Sequence, residues 1–172
     1  MLWIAVFCLT VLQVQTLEPP SDNNCKRSWH NVKNPLKCCN MPTIYKDEDF
    51  KACGIEKPVM NDGDAKPRPP DCDKQICLLQ KNNLMKDENT IDKAAIAAFL
   101  DKWAEINVDF KDAVEITKNK CINGELMGPP NMCEANKISL CILAYIYRNC
   151  PKWEETDDCA QIKDFIGKCP PP

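Results

Sequence analysis

Twelve cysteines remain once the first sixteen residues of this chain are set aside, and nothing else in it limits the available folds so strongly. Residues 1–16, MLWIAVFCLTVLQVQT, are apolar and uncharged and give way to Leu17-Glu18-Pro19-Pro20. That is the outline of a secretory signal peptide cleaved near Thr16 or Leu17, and the run is shorter than the ~20 residues that span a bilayer. Cys8 would leave with it. The remainder, residues 17–172, reads as a single domain in which Cys25, Cys38, Cys39, Cys53, Cys72, Cys77, Cys121, Cys133, Cys141, Cys150, Cys159 and Cys169 form a framework of six disulfides. A zinc site would need clustered Cys and His, yet there is one histidine, His30, and no C-x-x-C pair, so neither a metal nor a cofactor is expected.

A chain of this length buries about two-thirds of its unfolded surface and hardly needs six bridges for lack of a core. A hollow interior is one reason to have them, since an unfilled pocket forfeits packing energy that cross-links can offset. Resistance to extracellular proteolysis is another. The formal charge of −3 argues against nucleic acid and anionic membrane surfaces as partners.

Helical periodicity runs through most of the chain. Between Ile138 and Tyr147 only Ser139 is polar, which predicts a central helix buried on every side and stopped by Pro151. Thr43 to Cys53 predicts a brief helix ending at Gly54, and Pro70 to about Met85 a second, with Cys72, Ile76 and Leu79 on one stripe. Five residues of helix hold Cys72 and Cys77 at least ~7.5 Å apart along the axis, too far to pair with each other. Adjacent Cys38 and Cys39 should likewise reach two different partners. Ile96, Phe99, Leu100, Trp103 and Ile106 mark a third helix, and Phe110, Ala113, Val114, Thr117 and Cys121 a fourth that ends on a left-handed Gly124. Thr156 caps a last short helix bearing Cys159, Ile162, Phe165, Ile166 and Cys169. The proline-bearing stretches Leu17–Leu36 and Glu56–Asp71 read as irregular. No useful strand alternation appears, so the expected fold is all-α, a compact bundle of about six helices with N- and C-terminal extensions.

The cysteine string Cys72-x4-Cys77-x43-Cys121-x11-Cys133-x7-Cys141-x8-Cys150-Pro151-x7-Cys159-x9-Cys169, preceded by Cys25, Cys38, Cys39 and Cys53, resembles the Plus-C subgroup of insect odorant-binding proteins. The most specific part is the C-x8-C-P element at Cys141, Cys150 and Pro151. The x4 between Cys72 and Cys77 departs from the usual x3. Bridges implied by the resemblance are Cys53–Cys77, with Cys38 or Cys39 as a substitute for Cys53, together with Cys72–Cys141 and Cys121–Cys150. The other pairings stay open.

The resemblance also implies a function: a secreted carrier that encloses a small hydrophobic molecule, an odorant, pheromone or similar lipophile, and takes it through aqueous lymph to an olfactory membrane receptor. A homodimer is left open. The pocket wall would draw on Phe99, Leu100, Trp103, Phe110, Val114, Leu140, Leu143, Tyr147 and Phe165, with a tyrosine hydroxyl as the polar contact. Ordinary core packing is the competing reading of each.

No catalytic residue is expected. Secreted phospholipases A2 place a His-Asp pair after a double cysteine, whereas Asn40-Met41-Pro42 follows here, and His30 has no paired nucleophile. A surface-acting toxin or inhibitor, or a carrier of non-olfactory lipophiles, are the alternatives. The framework itself is directly measurable. Intact-mass spectrometry should find a secreted chain starting near Leu17 or Glu18, with no alkylatable thiol, about twelve mass units lighter than its reduced form. One alkylated cysteine in the unreduced protein would remove the six-bridge reading.

Overall fold

A computed structural model describes residue 25 and residues 35–56 and 71–169, and the expected signal peptide and most of the two irregular stretches lie outside them. The described chain is all-helical. Six α-helices run α1 Asp47–Ala52, α2 Cys72–Lys81, α3 Lys93–Ile106, α4 Lys111–Thr117, α5 Glu134–Arg148 and α6 Asp157–Lys168. Short 3₁₀ turns occupy Pro35–Cys38 and Val108–Phe110, and a π-helical turn, Lys118–Ile122, extends α4.

Local chemistry accounts for the helix ends. The Asp92 carboxylate accepts from Ala95 N–H at 2.9 Å and caps α3, and the Thr156 hydroxyl accepts from Cys159 N–H at 3.2 Å and caps α6. α1 closes on Gly54 at φ 63°, with Ile55 N–H donating to Phe50 C=O and Gly54 N–H to Lys51 C=O. α2 closes the same way on Asn83 at φ 55°, where Leu84 N–H reaches Leu79 C=O. Both are left-handed caps with the paired 6→1 and 5→2 bonds of a Schellman motif. The second cap ends α2 at Lys81, short of the Met85 expected from periodicity, because an asparagine takes the left-handed position that stops the helix. Gly124 is not left-handed, contrary to expectation. Small size is what its position requires, since a Cβ there would come within 2.3 Å of the Lys120 carbonyl oxygen.

α5 packs against α2, α4, the π turn and α6. Its buried stripe is Ala135, Ile138, Ser139, Ile142 and Ile146, and Ile138 and Ile146 have no exposed surface. It is not enclosed on every side, because Leu140 and Leu143 lie 40% and 42% exposed on an outer face that no described element covers. Ile106, expected on the α3 stripe, is 84% exposed at the helix end, where the chain turns into Val108–Phe110.

Six disulfides divide into two sets. Cys53–Cys77, Cys72–Cys133 and Cys121–Cys141 lie within residues 53–141 and fasten the helical body. Cys39–Cys150, Cys38–Cys159 and Cys25–Cys169 are nested around it and clasp the N-terminal extension to the C-terminal one. The clasp has its own backbone contacts: Cys39 forms an isolated antiparallel bridge with Trp153, and Glu154 N–H donates to Cys38 C=O at 2.9 Å. Cys53–Cys77 forms as the resemblance implies, whereas Cys72–Cys141 and Cys121–Cys150 are replaced. Cys133 is the N-cap of α5 rather than a residue within it, and there it meets Cys72, the first residue of α2. Cys141 faces the π turn and takes Cys121, while Cys150 lies beyond the end of α5 and turns to Cys39.

Nesting sets how much each bridge contributes. With Cys38–Cys159 in place, Cys25–Cys169 closes only the difference between separations of 121 and 144 residues, a loop comparable to the 20 residues between Cys121 and Cys141. Their entropic terms are then similar, about 3 kcal/mol each. Cys121, fully buried, adds a packing loss of ~1 kcal/mol or more when truncated. Replacing both Cys121 and Cys141 by Ala should therefore lower Tm by a few degrees more than replacing both Cys25 and Cys169. Equal losses in thermal melts would place the clasp inside the cooperative core.

Candidate functional site

The apolar interior is built from one face of each long helix. α2 contributes Leu78 and Leu79, α3 Ile96, Leu100 and Trp103, α4 Ala113 and Val114, and α5 Ile138, Ile142 and Ile146, all buried. Leu100 and Val114 are each 1% exposed, packed on all sides. Trp103 is held in one orientation, donating from Nε1 to the Thr43 carbonyl at 3.1 Å and meeting Phe110 edge-on at 5.4 Å. Phe99 is half-buried and stacks on Tyr45 at 5.6 Å.

The nine residues expected to line a pocket are thus not brought onto one wall. Phe99, Leu100, Trp103, Phe110 and Val114 belong to the helical body. Tyr147 is buried in the clasp, its hydroxyl donating to the Pro35 carbonyl and its ring edge-on to Trp153 at 5.3 Å. Phe165 is half-buried on α6. Leu140 and Leu143, expected to point inward, occupy the open face of α5, since a stripe built on Ile138, Ile142 and Ile146 turns positions 140 and 143 outward.

Inside the body lies a polar group that the sequence reading missed. Gln75 of α2 donates from Nε2 to Ser139 Oγ of α5 at 2.7 Å, with both side chains buried. Burial pushes the Tyr45 phenol up to about 12, against a smaller opposing effect of Ser139. Tyr45 sits between two half-buried aromatic rings, Phe99 stacked and Phe50 edge-on at 5.9 Å. Ser139 was visible as the polar break in an apolar run. Gln75 was not, because the inward stripe of α2 is Gln75, Leu78 and Leu79 rather than Cys72, Ile76 and Leu79.

A concavity of about 850 Å³ opens to solvent between the end of α5 and α6. Its lining mixes Arg148, Lys152 and Lys163 with Glu154, Glu155 and Asp157 beside Trp153. The Arg148 guanidinium already donates to the C=O groups of Ile166 and Cys169, at 2.5 and 2.7 Å, and so caps the end of α6. Balanced charge and open access suit polar solvent better than an apolar guest.

No protein-family model matches the chain. It is 27% identical over 154 residues to general odorant-binding protein 68 of Anopheles gambiae, an alignment spanning 79% of this chain and 70% of that protein. The similarity to this odorant-binding protein accompanies an all-helical build and six disulfides.

Proposed function

We propose that the protein is a secreted carrier of Plus-C type that holds a small hydrophobic molecule among the helices of its body and delivers it to a membrane receptor. The observation behind this is the similarity to a general odorant-binding protein across 79% of the chain. The fold supports it. Aromatic side chains of the loop before α1 and of α1 and α3 gather at Tyr45, where two of the three rings are half-buried, and the same body holds the buried polar pair Gln75 and Ser139. That combination of apolar surface with one convergent polar group is what a small-molecule site needs. Pairing of twelve cysteines suits an oxidising extracellular fluid, and no described helix is long and apolar enough to cross a membrane. The role is transport without catalytic turnover.

Purified, oxidised and delipidated protein should take up N-phenyl-1-naphthylamine and release it to hydrophobic volatiles at Kd values of about 1 µM. Trp103, fixed in the body, should report binding through its emission. A broad displacement panel that finds no ligand for protein shown to be folded would leave a filled core and overturn the carrier role.

A further inference from the structure

The charges around the concavity between α5 and α6 balance, but they are not mixed. Arg148 donates to the C=O groups of Ile166 and Cys169, so its guanidinium sits at the C-terminal end of α6, with Lys163 one turn back on the same helix. Glu154, Glu155 and Asp157 line the opposite end, where α6 begins. From Asp157 to Ile166 the helix rises about 13 Å, at ~1.5 Å per residue. The concavity thus runs along α6 from an anionic end to a cationic one, and Trp153, Ala160 and Ile166 supply apolar lining. Part of this order serves the helix itself, since acids at the first turn and a cation at the last carbonyls complement its dipole. That role explains neither the recess around Arg148 nor its unused donors. Arg148 is half-buried, whereas Lys152, Lys163, Glu154, Glu155 and Asp157 are exposed. Both of its carbonyl bonds come from Nη2, and a guanidinium carries five N–H donors in a planar fork, so Nη1 and Nε donate to no described residue. Among the described residues, none of these charged side chains forms an ion pair.

We infer that this concavity binds a short extended peptide with free ends, its terminal carboxylate on the unused edge of Arg148 and its terminal ammonium among Glu154, Glu155 and Asp157. A planar guanidinium can hold a carboxylate through two parallel N–H···O bonds. An extended chain gains at most ~3.3–3.6 Å per residue, so charged ends about 13 Å apart require about four residues. An apolar cargo carries neither charge. The site is therefore separate from the interior of the body and does not depend on the carrier role proposed above.

The test is isothermal titration calorimetry of the full oxidised protein with tetraalanine bearing free ends, for which a Kd of about 100 µM is expected. Amidating the carboxyl end should weaken binding about tenfold, and acetylating the amino end several-fold. Dialanine, too short to reach both ends, should bind no better than the capped peptides. Arg148→Gln should remove the distinction between carboxylate and amide. Should that variant fail to fold because Arg148 also caps α6, the combined change Glu154→Gln, Glu155→Gln and Asp157→Asn, all at exposed positions, decides instead: it should bind the free and the acetylated peptide alike. No binding of the free-ended peptide at about 1 mM overturns the proposal, as do equal affinities for the free and amidated peptides or unchanged preferences in the folded variants. Displacement of N-phenyl-1-naphthylamine by tetraalanine also overturns it, by placing the peptide in the body. Uptake of that probe is measured independently, so failure of the peptide site and failure of the carrier role are read separately.

Discussion

Packing of α5 against α2 and α4 is the contact on which the remaining structure depends. Ile138, Ile142 and Ile146 form its apolar seam, and the body bridges meet it at two points, Cys133 at the N-terminal end of the helix and Cys141 two turns on. Burying three isoleucines is worth about 5–9 kcal/mol before entropy is counted. The bridges add little new contact. They act mainly on the unfolded chain, removing arrangements in which α2 or the π turn lies far from α5.

Nested closure around that seam fastens the described part of the N-terminal extension to the C-terminal one. Pro35–Cys38 is a single turn, too short to stand alone as a helix. Two cysteines at its end, a backbone pairing with Trp153–Glu154 and the Tyr147 hydroxyl hold it against α5 and α6. Tyr147 therefore works in the clasp. Its phenol, like that of Tyr45, is pushed up by burial to about 12. The two tyrosines nevertheless differ in surroundings, since Tyr147 donates to a backbone carbonyl whereas Tyr45 packs its ring against Phe50 and Phe99.

The buried Gln75–Ser139 pair also bears on how specific an apolar interior can be. Apolar walls discriminate by size and shape and gain about 0.8 kcal/mol per buried methylene whatever the ligand. A polar pair buried inside them fixes register by chemistry, because a helix arrangement that separates the two groups leaves both unsatisfied. Gln75 and Ser139 belong to helices already locked together by Cys72–Cys133, so their geometry is set by the fold before any ligand arrives.

Sequence alone determined the helical class, the approximate extent of α3, α5 and α6, the caps at Thr156 and Gly54, and the presence of a bridged framework. Each follows from local chemistry: periodicity, a side-chain oxygen at a helix start, a residue that tolerates positive φ, cysteine parity. Only tertiary structure decided which cysteine meets which, because pairing depends on how far α2, the π turn and the clasp lie from α5. Cys133 and Cys141 could not be ranked as partners of Cys72 until α5 was seen to begin at Glu134. Tertiary structure likewise turned Leu140 and Leu143 outward and brought Gln75 inward. A helix shows its period in sequence, but which side of it is covered depends on neighbours distant in the chain, and here those neighbours bring Gln75 and Ser139 together.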